Sequence, residues 1–318
     1  MAEKDRFVQI FSKNIRAILT QLRGDTKEVQ EVRLRVNAPL FVIYKNQEFS
    51  IDIKGELKKD WNSAYVVTRE DVEETLSCAA GYSLYAFEDE LRQGFITVPG
   101  GHRIGVAGRV VLNQGGIKTI QPAASLSVRF SHQIKGCANG IVSYLYEEGT
   151  DRFYHTLLIS PPCCGKTTLL RDLVRQISDG STSHGGRNVC VVDERSEIGA
   201  CYQGIPQNDV GRRTDILDGC PKADGMMMMI RSMTPSVLAV DEIGGGRDME
   251  AVWYVMNCGC GILATVHGTS MEDIRQKPVL GKLIEERIFE RYVVLSQRKG
   301  PGTIEDICDR EGRSLICG

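Results

Sequence analysis

The sequence lacks the features that would place it in or across a membrane. No run approaches the ~18 apolar residues of a membrane span. The charged, amphipathic start, "MAEKDRFVQIFSKNIRAILTQL", lacks the unbroken apolar core of a signal peptide. A basic excess is also missing: the net charge is −2 over 318 residues, so overall charge gives no argument for a nucleic-acid partner. We therefore expect a cytoplasmic protein that contacts a membrane only through a partner.

Zinc-ligand spacing is absent from the eleven cysteines. Cys163-Cys164 and Cys258-x-Cys260 do not follow the C-x₂₋₄-C pattern with a matching second pair. A chain without an export signal is expected to keep its thiols reduced. We expect most of these cysteines to serve as small core side chains.

The predicted secondary-structure pattern changes near residue 140. In the earlier part, "VRLRVNAPLFVIY" has the alternation of strands, and Thr68 with Asp71 predicts the start of a helix. The stretch "GFITVPGGHRIGVAGRVVL" predicts two strands joined at Gly100-Gly101. From about residue 150, strands and helices alternate, which is typical of a parallel α/β sheet. We predict a smaller α+β domain over residues 1–140 and an α/β domain over 141–318. The predicted strands of the second domain are "HTLLIS", "NVCVVDE", "SVLAVDE", "GILATVHG" and "RYVVLSQ".

A nucleotide-binding loop follows the first of these strands. "LLISPPCCGKTTLLRD" runs from an apolar strand through a six-residue loop into an amphipathic helix, which is the context that a P-loop requires. Lys166 would reach the β- and γ-phosphates, and the Thr167 hydroxyl would ligate Mg²⁺. Ser160 stands where the pattern has its first glycine, and we expect an altered affinity or rate rather than loss. The predicted nucleotide-binding residues are Ser160, Pro161, Pro162, Cys163, Cys164, Gly165, Lys166, Thr167 and Thr168.

Two further strands end in acidic pairs, either of which could complete the site. "SVLAVDE" has the Walker B form, with Asp241 on Mg²⁺ and Glu242 polarising the attacking water. "NVCVVDERSEI" offers Asp193, Glu194 and Glu197. The catalytic base is therefore Glu242 or Glu194, and Glu242 is preferred because it directly follows a Mg²⁺-type aspartate. Strand-end capping or surface charge is the alternative for either pair.

Thr265 and His267 stand at the end of "GILATVHG", where polar side chains can sense a γ-phosphate by hydrogen bonding. The alternative for His267 is a satisfied histidine at a strand–loop junction.

The region "DEIGGGRDMEAVWYVMNCGCGILATVHG" resembles the Walker B and histidine-box region of secretion and type IV pilus ATPases, and "DERSE" is similar to their acidic box. More narrowly, "YSLYAFEDELRQGFITVPGGHRIGVAGR", "DVGRRTDILDGCPKADGM" and "IRSMTPSVLAVDEIG" resemble the stage III sporulation protein AA family of endospore-forming bacteria. The resemblance implies a RecA-like P-loop core. It also implies an ATP- and Mg²⁺-dependent ATPase of the mother cell, beneath a channel complex that leads to the forespore.

The resemblance further implies a hexameric ring whose N-terminal domain contacts the neighbouring subunit. Such rings need an arginine that reaches the neighbour's γ-phosphate, worth ~10³–10⁵ in rate. The candidates are Arg195, Arg212, Arg213, Arg231 and Arg247. Arg212, Arg213 and Arg231 rank highest by their place in the family's motifs, and Arg231, at the matching arginine, is taken as the catalytic one. Intramolecular ion pairs are the alternative for each.

Three functions remain open from the sequence. Intact Lys166, Thr167, Asp241 and Glu242 favour an ATP hydrolase, whereas Ser160 favours a nucleotide-bound structural switch with little turnover. A nucleic-acid motor is disfavoured by mild acidity and by the lack of a basic, aromatic-rich groove.

Overall fold

A computed structural model describes residues 8–83, 87–113 and 116–316. The chain divides into two compact units between His132 and Gln133, whereas the sequence places the boundary between residues 140 and 141. The difference arises because the intervening residues are bonded within the second unit. Lys135 Nζ lies 2.5 Å from Asp209 Oδ2, and the Ala138 amide donates to Asp172 Oδ2 at 2.9 Å.

The first unit is built on one antiparallel seven-stranded sheet, ordered β4-β3-β2-β1-β7-β6-β5. Its strands are β1 Val29–Arg35, β2 Phe41–Tyr44, β3 Gln47–Ile51, β4 Leu57–Lys58, β5 Phe95–Val98, β6 His102–Asn113 and β7 Gly116–Arg129. Its helices are α1 Lys13–Thr20, α2 Arg69–Ala79 and α3 Glu88–Arg92, with a short 3₁₀ turn at Thr26–Glu28. Alternate strand residues such as Val32, Leu34 and Val128 are fully buried. One face of the sheet therefore forms the core of this unit.

Two local predictions for this unit are confirmed. Thr68 caps α2, accepting from the Asp71 amide at 3.1 Å while the Asp71 carboxylate accepts from the Thr68 amide at 3.0 Å. This reciprocal pair satisfies amides that the first helical turn leaves without partners. β5 and β6 are joined through Gly100 and Gly101, which both have positive φ (90° and 72°).

The second unit contains a mostly parallel sheet, ordered β10-β9-β11-β12-β8-β13-β14, in which only β14 runs antiparallel to its neighbour. Its strands are β8 Thr156–Ser160, β9 Val189–Asp193, β10 Thr214–Asp218, β11 Val237–Val240, β12 Gly261–His267, β13 Arg291–Ser296 and β14 Thr303–Cys308. The five predicted strands are confirmed. β10 and β14 are additional, and both lie at edges of the sheet, where acidic residues such as Asp215 and Glu305 are tolerated.

Helices cover the two faces of this sheet, so β8, β9 and β11 are buried along their whole length. The helices are α4 Lys166–Asp179, α5 Lys222–Met233, α6 Gly246–Asn257, α7 Met271–Arg275 and α8 Gly281–Glu285, with a 3₁₀ turn at Val142–Leu145. Within the described ranges, no helix is long and apolar enough to span a bilayer. Because β8, β9, β11 and β12 are parallel, their carboxyl ends meet at one edge, where ligands of open α/β sheets gather.

Candidate functional site

The loop after β8 places Cys163 and Gly165 in left-handed backbone conformations. Gly165 has φ 84° and forms the N-cap of α4. A Cβ at this position would lie 3.0 Å from the Gly302 amide nitrogen, so both the backbone conformation and the close approach require glycine. Ser160 is fully buried as the last residue of β8, and its φ is not in the positive range. A side chain is therefore tolerated at the position of the first P-loop glycine.

A second loop, between β13 and β14, holds this loop in place. The Gly302 amide donates to Cys164 O at 2.8 Å, and Gln297 Nε2 donates to Cys163 O at 2.9 Å. The contacts fix two peptide groups of the P-loop without using its amides, which stay available to an anion at the helix N-terminus.

Lys166, Thr167 and Asp241 come together where α4 begins. Thr167 Oγ1 donates to Asp241 Oδ2 at 2.8 Å, and Lys166 Nζ lies 3.1 Å from Asp241 Oδ1. Lys166 is 7% exposed, and among the described residues no acceptor completes a hydrogen bond to its ammonium group. A buried ammonium with unused donors is stabilised by an anionic ligand. This arrangement fits the predicted phosphate and Mg²⁺ site, with a hydroxyl and a carboxylate as oxygen ligands.

Thr265 on β12 holds the Walker B turn. Its hydroxyl donates to Asp241 Oδ1 and accepts from the Glu242 amide at 2.8 Å. Glu242 has φ 59°, a left-handed conformation that is costly for a residue with a side chain. In this structure Thr265 therefore positions the two acidic residues, whereas the sequence suggested contact with a γ-phosphate.

Each oxygen of the Glu242 carboxylate faces a side-chain nitrogen from another part of the chain. Arg195 Nη1 donates to Oε2 at 3.0 Å, and His267 Nε2 lies 3.4 Å from Oε1. The other ring nitrogen of His267 lies 3.4 Å from Ser160 O. The histidine thus bridges the predicted base and the first residue of the P-loop.

These side chains line one cleft of about 460 Å³. It contains most of the predicted site, together with Arg195, Glu197 and Pro301. The residues that line it are Pro161, Cys163, Gly165, Lys166, Thr167, Thr168, Arg195, Glu197, Asp241, Glu242, His267 and Pro301. The volume is in the range of small-molecule sites. Ser160 lies beneath the cleft, in the strand.

The other acidic pair has a different environment. Asp193 is buried and accepts from the amides of Glu197, Ile198 and Gly199 at 2.8–2.9 Å. Burial raises the pKa of Asp193, and these three amides offset part of the effect. Glu194 forms an ion pair with Lys222 of α5. Asp193 thus has a structural role, and Glu194 is held by a cation outside the cleft.

The five candidate arginines are distributed widely. Arg195 alone is in the cleft lining given above. Arg231 donates to the Tyr254 hydroxyl at 3.4 Å, and Arg247 pairs with Asp224 at 2.8 Å. Arg212 and Arg213 lie beside Asp179, at the end of α4 that is remote from the P-loop.

Two parts of the site were not predicted from the sequence. Arg171 of α4 is buried and donates to Glu197 O and Ile198 O at 2.6 and 2.8 Å, which holds the loop that follows β9. Burial lowers the pKa of Arg171. The loop that covers the P-loop carries "KGPG" at 299–302, a turn signal that marks the position of a loop but not its contacts.

The chain is similar to known proteins along nearly its whole length. The model of the family described as sporulation stage III, protein AA, matches residues 1–315. Stage III sporulation protein AA of Bacillus subtilis (strain 168) is 43% identical over 288 residues, which are 91% of this chain and 89% of that protein.

Solved structures show the same fold at low sequence identity. The ATPase DotB of Legionella pneumophila superposes with a TM-score of 0.53 at 15% identity, covering 88% of this chain and 74% of that one. The pilus retraction motor PilT, solved with bound ADP, gives 0.53 at 14% identity, covering 83% and 73%. The predicted RecA-like core with a smaller α+β domain before it is confirmed. By its sequence along nearly the whole length, the chain belongs to the sporulation stage III protein AA family.

Proposed function

We propose that this protein is a Mg²⁺-dependent ATPase of the secretion-ATPase type, which powers or assembles the channel complex between mother cell and forespore. The observation that carries the proposal is the buried Lys166 ammonium, with unused donors beside Thr167 and Asp241. The P-loop amides and Lys166 would bind the phosphates, and Thr167 and Asp241 would hold Mg²⁺. The metal ion would neutralise charge that develops on the transferred phosphoryl group.

Glu242 is the proposed base because it lies in the cleft directly after Asp241. Thr265 holds its backbone, and Arg195 and His267 hold its two oxygens, so the carboxylate is oriented before a water arrives. Orientation of this kind lowers the entropy cost of the reaction. Glu194 is the weaker candidate because it is not among the residues that line the cleft with Lys166 and Thr167.

A homo-hexamer in the mother-cell cytoplasm, docked on membrane proteins of the channel complex, is the proposed assembly. Arg212, Arg213, Arg231 and Arg247 lie outside the cleft of their own subunit, so any of them that acts on a phosphate must do so from a neighbouring subunit. Arg231 stays the proposed trans arginine.

A nucleotide-dependent switch with little turnover is the second candidate. It is favoured by the Glu242 carboxylate, since both of its oxygens already face cationic or polar partners.

The test measures phosphate release and nucleotide binding on the full chain, with a sizing column run with and without ATP. Lys166→Ala should lose nucleotide binding. Glu242→Gln should bind but lose turnover by about 10²–10⁴-fold, the contribution of a positioned general base. Glu285→Gln, an exposed glutamate of α8, is the matched control and should behave as wild type.

Normal turnover in Glu242→Gln would transfer the role of base to Glu194. Tight ATP binding without turnover in wild type would favour the switch. Absence of ATP binding in wild type would refute both functions.

A further inference from the structure

A long stretch of the sequence, most of it in the first unit, carries no negative side chains. Between Glu90 and Glu147 the sequence has no Asp or Glu, although the whole chain has 41 and a net charge of −2. The same stretch contains six basic residues, Arg92, Arg103, Arg109, Lys118, Arg129 and Lys135. It forms β5, β6 and β7, so one part of an acidic protein is built entirely from neutral and basic side chains.

The outer halves of β6 and β7 form a hairpin arm, defined here as residues 108–113 and 116–123. β5 pairs with β6 only as far as Gly105, and β1 pairs with β7 only from Ser125 onward. Beyond these residues the two strands pair with each other, and in the described part of the chain no third strand joins them. A two-stranded ribbon is marginally stable in water, so the arm gains from a surface that covers it.

Apolar side chains lie on both faces of the arm. Val110 pairs with Ile120 and Leu112 pairs with Ile117, which places these four on one face. Leu112 is 70% exposed and Val110 and Ile117 are 45% and 43% exposed. Val111, on the opposite face, is 37% exposed.

Exposed basic groups accompany the apolar side chains. Arg109 and Lys118 both lie in the arm and are exposed, and the arm has no acidic residue to oppose them. A protein partner that docks on one face of a ribbon would leave the other face in water. A lipid interface contacts both faces of an inserted arm, and its anionic headgroups complement the exposed cations of the arm.

We propose that the hairpin arm inserts its apolar side chains into the headgroup region of an anionic lipid bilayer. Leu112 and Ile117 enter the boundary between headgroups and acyl chains, and Arg109 and Lys118 contact lipid phosphates. This binding is independent of the nucleotide site, so the two proposals can fail separately.

The test is co-sedimentation of the full chain with vesicles of phosphatidylcholine alone, and of phosphatidylcholine mixed with phosphatidylglycerol. Wild type should pellet with the anionic vesicles and much less with the neutral ones, and added salt should release it. The double variant Leu112→Gln/Ile117→Gln should bind anionic vesicles at least about tenfold more weakly, since each buried methylene contributes to membrane affinity. Ile53→Gln is the matched control, because Ile53 is 65% exposed in the same unit but outside the arm.

Charge is tested separately with Arg109→Gln/Lys118→Gln, which should remove most of the difference between anionic and neutral vesicles. A Leu112→Trp variant should show a blue-shifted emission on anionic vesicles, and Ile53→Trp should not. Equal binding of wild type to both vesicle types, or unchanged binding of the Leu112→Gln/Ile117→Gln variant, would overturn the proposal. Absence of wild-type binding to either vesicle type would overturn it as well.

Discussion

The ends of β9 and β11 have the same three residues, Val-Asp-Glu, but different chemistry. The two strands are parallel neighbours in register, with Val192 opposite Val240. Asp193 is 2% exposed and is used by three amides of the loop that follows it, whereas Asp241 faces Lys166 and Thr167. The difference arises from what comes next. After β9 the chain folds back over its aspartate, and after β11 Thr265 holds the turn open toward the P-loop.

The largest expected effects come from removing the charge of each aspartate in turn. Asp241→Asn should reduce ATP turnover by about 100-fold or more, because a metal ligand contributes several kcal/mol to transition-state stabilisation. Its unfolding midpoint should also fall, because Asn cannot accept from both Thr167 and Thr265 and removes the carboxylate beside the buried Lys166 ammonium. Turnover and urea unfolding are measured on the same preparations. Normal turnover in Asp241→Asn would remove Asp241 from the metal site.

Asp193→Asn is expected to act on stability instead. Its carboxylate accepts three amide hydrogens, and the amide side chain cannot accept all of them, so we expect a loss of about 1–3 kcal/mol. The pKa of Asp193 is raised above 3.8 in the folded state. As the pH rises from 3.8 to the folded-state pKa, the unfolded chain loses its proton more readily than the folded one, so the free energy of unfolding of the wild type falls. The stability advantage of wild type over Asp193→Asn should therefore be larger near pH 4 than at pH 7. Urea unfolding at the two pH values measures it, and an advantage that grows with pH would contradict the raised pKa.

The sequence predicts the parts of these two strand ends that depend on residues near in sequence, and misses the parts that depend on residues far apart in sequence. Lys166, Thr167 and Asp241 were predictable, because a strand, a loop of fixed length and a helix form the P-loop locally, and a buried strand ends at Asp241. The separate roles of Glu194 and Glu242 were not, because each is the last residue of an identical Val-Asp-Glu triplet and their partners, Lys222 and Arg195, come from other parts of the chain. The loop around Gly302 escaped prediction for the same reason, since its contacts span more than 130 residues.

Removing the cationic partners of Glu242 and Glu194 should have a smaller effect on ATP turnover. Arg195→Ala frees one oxygen of Glu242, and turnover should fall by about tenfold because the base is less well oriented. Stability should change by less than about 1 kcal/mol, since Arg195 is largely exposed. Lys222→Ala is the matched control at Glu194 and should leave turnover unchanged. An equal loss of turnover in both variants would mean that both strand ends serve catalysis.

The end of β8 extends the comparison to a residue whose replacement should matter least. Ser160 occupies the position of the first P-loop glycine, yet it has an ordinary strand backbone, and its hydroxyl bonds only to the neighbouring Pro161 O at 2.9 Å among the partners that the structure describes. Ser160→Gly should therefore keep ATP turnover close to wild type, because neither Gly165 nor Lys166 changes its surroundings. Stability should fall by about 0.5–1 kcal/mol, because glycine loses more backbone entropy in a strand. A large gain in turnover, measured by phosphate release, would show instead that Ser160 restrains the loop and that this strand end is tuned for slow hydrolysis.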